Sequence, residues 1–230
     1  VVHFIGGRAE KRSDTLETTA TLANAASAAV AKAGIGLSEP TAISALAGAV
    51  TNESASGRIV GYYCGGTLCQ ETWNILYQAG LDVHSNVAGI ADKKVPAEAQ
   101  IAGHVVWDLG DDAFTVGKPH PMIEPSLRDE HVAQAGDDSS VGVVLADCVI
   151  GYGAHDNPAG SLAEAATRAF ASAKKDGRSL VILASVTGTD RDPQNLHRQR
   201  KILEDAGIAV AFSNAAAARA AVNLLRGDPA

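Results

Sequence analysis

From residue 58 onward, short apolar runs alternate with stretches of helical periodicity. The longest run, 141–150, is broken only by Asp147. A continuous apolar run of that length fits a strand covered on both faces, which is the environment of a central strand in a parallel sheet. Four more runs read as strands, at 58–63, 104–109, 179–184 and 208–212. Helical patterns occupy 67–79, 126–135, 161–175, 193–206 and 214–225. Residues 83–88 read as a short strand or a loop, and 110–125 as a polar loop. Strands separated by helices imply a parallel sheet with helices on both faces. Right-handed crossovers then restrict the topology to the doubly wound kind. The expected fold is α/β, with five parallel strands in the order 2-1-3-4-5, counted along the chain.

The first 57 residues do not follow this alternation, so the expected division is an N-terminal helical segment, 1–57, and a sheet domain, 58–230. Val1 to Gly7 reads as the end of a strand and its turn. Asp14-Thr15-Leu16-Glu17 fits a capping box opening a helix to about Lys32, stopped by Gly34 and Gly36. Ser38-Glu39-Pro40 starts a second helix that ends near Asn52. The chain has no initiator Met, so it reads as a piece of a longer protein or a processed one.

Composition narrows the function classes. At 230 residues the chain can bury a large core without metal or disulfide support. Aromatics are only 4%, with abundant Ala and Gly, which favours close helix-on-sheet contact. A net charge of −7 and no Lys/Arg run argue against a nucleic-acid partner. Cys64, Cys69 and Cys148 form neither an even disulfide set nor a C-x-x-C pair, so free thiols are expected and no metal site. No run has transmembrane length and no signal segment is visible, so a cytoplasmic protein without membrane contact is expected.

The chemistry-bearing segment is Gly61-Tyr62-Tyr63-Cys64-Gly65-Gly66-Thr67-Leu68-Cys69-Gln70-Glu71. A strand running through glycines into a helix leaves free N–H groups at the positive end of the helix dipole, which suits a phosphate, acyl phosphate or carboxylate. In the expected strand order the site lies where the winding reverses, at the carboxyl ends of strands one and three. That places Cys64, Gly65, Gly66 and Thr67 beside Gly151, Tyr152 and Gly153, with two helix starts facing one pocket. Thr187, Gly188 and Thr189 follow strand four and offer hydroxyls and N–H groups to an anion. Lys118 adds a point charge. His120, held between Pro119 and Pro121, and His155 are the candidate acid–base groups, and Asp147 is a carboxylate buried at a strand end. Asp192 is expected to cap the helix at 193, and His197 to face solvent on it.

These residues carry a resemblance. The glycine segment is similar to the one in the succinyl-CoA synthetase α-type ligase domain, where such a loop opens a helix that holds a phosphate. Asp108-Leu109-Gly110-Asp111-Asp112, Gly117-Lys118-Pro119-His120-Pro121-Met122-Ile123, Val149-Ile150-Gly151-Tyr152-Gly153-Ala154-His155 and Val186-Thr187-Gly188-Thr189-Asp190 with Asp192-Pro193-Gln194 extend the likeness to FdrA-type acyl-CoA synthetase-like proteins. The resemblance implies a flavodoxin-like CoA-ligase domain. It implies that Val1 to Gly7 is the last strand of a preceding ligase domain, and that CoA or nucleotide binds through an absent domain or a partner chain. It also implies CoA-ligase or carbamoyl-transfer chemistry (oxalurate giving oxamate and carbamoyl phosphate) within a homo- or hetero-oligomer of ligase subunits. The Gly-His-Ala-Gly segment that carries phosphohistidine in the synthetases does not occur here, so a bound phosphate or carbamoyl group is the expected occupant. A non-catalytic assembly subunit is the alternative. A flavin module is disfavoured by the short loop after strand one.

Overall fold

The structure, a computed structural model, describes residues 1–4, 13, 16–35, 55–97 and 99–227. Along the chain come β1 (Val2–His3), β2 (Thr18–Thr19), α1 (Leu22–Lys32), β3 (Arg58–Tyr63), α2 (Gly66–Gln78), β4 (Val83–Ser85), β5 (His104–Asp108) and α3 (Asp112–Thr115). They are followed by α4 (Ser126–Ala135), β6 (Val141–Val149), α5 (Pro158–Lys175), β7 (Val181–Thr187), α6 (Leu196–Asp205), β8 (Ala209–Ala211) and α7 (Asn214–Arg226).

The main sheet is parallel, with strand order β4-β5-β3-β6-β7-β8. The five strands β5-β3-β6-β7-β8 keep the expected order. The correction is the count: Val83–Ser85 pairs with β5 as a sixth, edge strand. The apolar run of β6 is buried along its length except at Val149, because both faces are covered. Val143 and Leu145 face the layer of α2 and α7, while Val144, Ala146 and Cys148 face that of α4, α5 and α6. Each fully buried Val or Leu there contributes about 1.5–3 kcal/mol of transfer free energy. Small residues let the helices approach closely: a Cβ on Gly136 would stand 2.4 Å from the Ala169 carbonyl.

Several boundaries move. The first helix begins at Leu22, capped by the Thr21 side chain on the Asn24 N–H, and Thr18–Thr19, expected within it, is a strand paired with Val2–His3; Asp14 and Thr15 of the expected capping box lie outside the described residues. Strand four continues to Thr187, so that residue ends a strand and is not in a loop. Helix α6 is capped by Asn195, at φ 62°, and not by Asp192. The polar loop contains the short helix α3. The expected second N-terminal helix, about 38–52, lies outside the described residues. Helix α1 is joined to the sheet domain: the Leu22 N–H donates to Glu71 Oε1 at 2.7 Å, and Ala23 packs on Ile75, Ala215 and Ala218. No helix among the described residues is long and apolar enough to cross a membrane.

Candidate functional site

Four loops meet at the carboxyl edge of the central strands. The first joins β3 to α2. Its geometry begins at Asp147 of β6, which is 1% exposed and accepts the Cys64 N–H at 2.9 Å. This bond turns the chain out of β3 and into Gly65. Gly65 is the N-cap of α2, makes no side-chain cap, and a Cβ there would meet nothing within 4 Å. Thr67 is exposed and Gly65 and Gly66 are half-buried, so the start of α2 faces open space.

A buried guanidinium holds this corner from below. Arg128, 1% exposed, donates to the Asp147 carbonyl at 2.8 Å, to Cys64 Sγ at 3.6 Å and to Pro158 O at 3.5 Å. Its Nε and Nη2 form a two-pronged pair with Asp129 Oδ1, at 2.9 and 2.7 Å, and Ser161 Oγ bonds the other Asp129 oxygen. Burial opposes the Arg128 charge, but the Cys64 sulfur and the Asp129 and Asp147 carboxylates outweigh it and hold its pKa above the ordinary value. Burial pushes the Asp147 carboxyl up, against the pull of Arg128 and the Cys64 N–H. Burial, with Asp147 next to it, also pushes the Cys64 thiol well up, so Cys64 is a neutral packing thiol and not an activated nucleophile.

The loop after β5 brings a second carboxylate and an imidazole. Asp108 Oδ1 accepts the Gly110 N–H at 2.9 Å, and Asp108 Oδ2 lies 2.9 Å from where a Gly66 Cβ would be. A Cβ on Gly110 would sit 2.6 Å from both His120 Nε2 and the Cys64 carbonyl, so only glycine fits between them. His120 Nδ1 accepts the Met122 N–H at 3.2 Å, which leaves Nε2 as the proton-bearing nitrogen of the neutral ring, turned toward the glycine loop. Burial pushes the Asp108 carboxyl up, against the Gly110 N–H.

The third and fourth loops close the rim. The His155 N–H donates to Met122 O at 2.8 Å, and His155 Nδ1 accepts from the Asn157 N–H at 3.1 Å. Gln194, 5% exposed, takes the Gly151 N–H and donates to the Gly151 and His155 carbonyls. The Thr189 N–H and hydroxyl both bond Asp192 Oδ2. Gly188 packs on Ile150 at φ 158°, a conformation suited to glycine.

Residues 62–224 match the family model described as CoA-ligase. The chain belongs to the CoA-ligase family. It is 41% identical over 156 residues to the uncharacterized protein YahF of Escherichia coli (strain K12), a stretch covering 68% of this chain and 30% of YahF. The chain therefore spans about a third of the length of that relative. The fold is also similar to that of the dinucleotide forming acetyl-coenzyme A synthetase 1 of Ca. Korarchaeum cryptofilum, in its apo form and in complex with phosphate and ADP. The TM-score is 0.50 and identity 13% in both, over 89% of this chain and 41% and 40% of those chains.

Within this CoA-ligase fold, the candidate residues fall into three groups. Gly65, Gly66, Thr67 and His120 gather at the open start of α2. Cys64 and Asp147 lie beneath it, tied to each other, and shape the loop from inside. Gly151, Tyr152, Gly153 and His155 form the facing turn, with Tyr152 90% exposed, and Thr187, Gly188, Thr189 and Lys118 lie exposed farther along the rim. His197 is exposed and pairs with Asp190 at 3.3 Å. Asp108, Arg128, Asp129 and Gln194 went unassigned in the sequence. Asp108 stood in a quoted segment and its strand-end position was a usable signal. Gln194 likewise lies in one of the segments that carry the resemblance, whereas Arg128 and Asp129 are polar residues in a polar helical pattern and gave no signal. Among the described residues, no group of three or more His, Cys, Asp or Glu could hold a metal ion.

Proposed function

We propose that this CoA-ligase domain holds an acyl phosphate, carbamoyl phosphate or inorganic phosphate at the start of α2, and works with domains or chains beyond it in acid–thiol ligation or carbamoyl transfer. The observation that carries the reading is the uncapped, open N-terminus of α2, with glycines at its first positions. Free N–H groups and the helix dipole there stabilise a phosphate without any ionised side chain.

In the ligase direction, a CoA thiolate attacks the carbonyl of an acyl phosphate, the C–O bond to phosphate breaks, and the leaving phosphate stays on the α2 N–H groups. In carbamoyl transfer, a phosphate oxygen attacks the carbamoyl carbon of oxalurate, the C–N bond breaks, and the oxamate nitrogen takes a proton. In this reading the His120 Nε2–H hydrogen-bonds that nitrogen as the bond breaks, the proton itself comes from water, and Asp108 stands beside His120. The catalytic contribution is mainly positioning and electrostatic stabilisation. CoA and nucleotide are substrates brought by another domain or a partner chain.

The test incubates the protein, with and without its partner chains, in two mixtures: carbamoyl phosphate with oxamate, and CoA with nucleotide and a carboxylic acid. Phosphate release in one mixture assigns the chemistry. Release in neither, with partners present, removes the catalytic reading and leaves a non-catalytic assembly subunit.

A further inference from the structure

One acceptor at the open start of α2 is left without a donor. Asp108 ends β5 in register with Tyr63 of β3, and it is 7% exposed. Its backbone is tied to Asn86, whose side chain accepts the Asp108 N–H at 3.0 Å and donates to the Asp108 carbonyl at 2.9 Å. Its Oδ1 accepts the Gly110 N–H. Its Oδ2 accepts no hydrogen bond among the described residues and lies against Gly66, 2.9 Å from where a Cβ there would stand. The ionisable groups that act on this carboxyl are Asp111, Asp147 and His120, with no Lys or Arg among them. A buried carboxylate oxygen left unpaired costs free energy that a donor on an occupant recovers.

The other groups of the site surround the same place. A Cβ on Gly110 would stand 2.6 Å from His120 Nε2 and 3.2 Å from Asp108 Oδ1, so imidazole and carboxylate flank one point beside the glycine loop. The start of α2 therefore offers the Gly66 and Thr67 N–H groups and the His120 Nε2–H as donors, with Asp108 Oδ2 as an acceptor alongside. Phosphate or sulfate brings acceptors alone and is repelled by that oxygen. A ligand that carries an N–H beside its own acceptor oxygens satisfies both halves of the site.

We infer that Asp108 sets the specificity of this site, and that the occupant carries an NH₂ group on the carbonyl carbon next to its phosphate. Asp108 Oδ2 takes that N–H while the α2 N–H groups hold the phosphoryl oxygens. The inference rests on the anion-site reading proposed above and narrows it, from acyl or carbamoyl phosphate to the carbamoyl compound. An acetyl group would put a methyl against Oδ2 and leave the oxygen unpaired.

Acetylphosphonate and carbamoylphosphonate provide the test, because they share the phosphonate and carbonyl and differ only in CH₃ against NH₂. Each is titrated into the whole chain in mildly alkaline buffer, which keeps Asp108 ionised, and the Gly66 and Thr67 N–H signals are followed by NMR. Carbamoylphosphonate should bind at least about tenfold more tightly, the range of one hydrogen bond to a charged group. In Asp108→Asn that preference should fall to about threefold, as a charge-assisted bond becomes a neutral one. The acetyl compound should bind the variant more tightly than the parent, since the repelling carboxylate is gone. A merely structural role for Asp108 would instead weaken both compounds alike, and that result overturns the inference. Equal affinity of the two compounds for the parent also overturns it, while leaving the anion site standing, and this comparison needs no variant to fold. No movement of Gly66 and Thr67 with either compound overturns the anion site itself.

Discussion

Two helices start at the carboxyl ends of the two central strands, and they are built oppositely. Helix α5 starts closed. Pro158 at its first position has no N–H, the Ala159 N–H is taken by the buried Gln199 at 2.9 Å, and the Asn157 side chain fills the space beside Gly160. Helix α2 starts open, with Gly65, Gly66 and Thr67 and no side-chain cap. The expectation of two helix starts facing one anion therefore reduces to one donor site, α2, opposite a wall made by the Gly151–Gly153 turn. A helix N-terminus is an anion site only where the fold has not already occupied its N–H groups.

The largest expected effect comes from the residue that spans both starts. Arg128→Met should destabilise the protein by about 3–5 kcal/mol in urea denaturation, because Asp129 and Asp147 lose their buried counter-charge. A loss below about 1 kcal/mol would mean that the two starts are held independently. Next, Gln199→Ala should cost about 1–3 kcal/mol by stranding the Ala159 N–H. The comparable change at the open helix, Thr67→Ala, should stay within about 0.5 kcal/mol. Equal costs at the two positions would erase the distinction drawn between them.

Asp108→Asn sharpens the open side. The folded Asp108 carboxyl is raised above its unfolded value by burial. The stability linked to it is thus complete below the unfolded pKa and is lost as pH rises through the folded one. The variant should be more stable than the parent near pH 7, with the gain vanishing at low pH. Its carboxylate also stands next to Gly66, so removing it should tighten sulfate binding roughly tenfold at low salt. In the parent, sulfate, whose own charge is constant from pH 4 to 8, should bind more tightly as pH falls. Affinity that does not change with pH or with the substitution would place the anion elsewhere.

Much of this was legible in the sequence because the physics was local. The apolar run 141–150 fits a doubly covered strand, and glycines between a strand and a helix fit an uncapped helix start. What escaped was either too short or too tertiary. Val83-His84-Ser85 is three residues and carries no period. Thr187 reads as loop because its polarity hides a strand that continues beside β6. Arg128 and Gln199 lie in helical stretches where a polar residue is expected to face solvent. They are 1% exposed because of partners 19 and 40 residues away in sequence, Asp147 and Ala159.

The most direct test of a single open donor site is an amide-resolved NMR titration of the whole chain with sulfate. The N–H signals of Gly66 and Thr67 should move saturably, while those of Ala159 and Gly160 stay fixed. Movement of Ala159 and Gly160 at equal or lower sulfate, or no movement at Gly66 and Thr67, would contradict it.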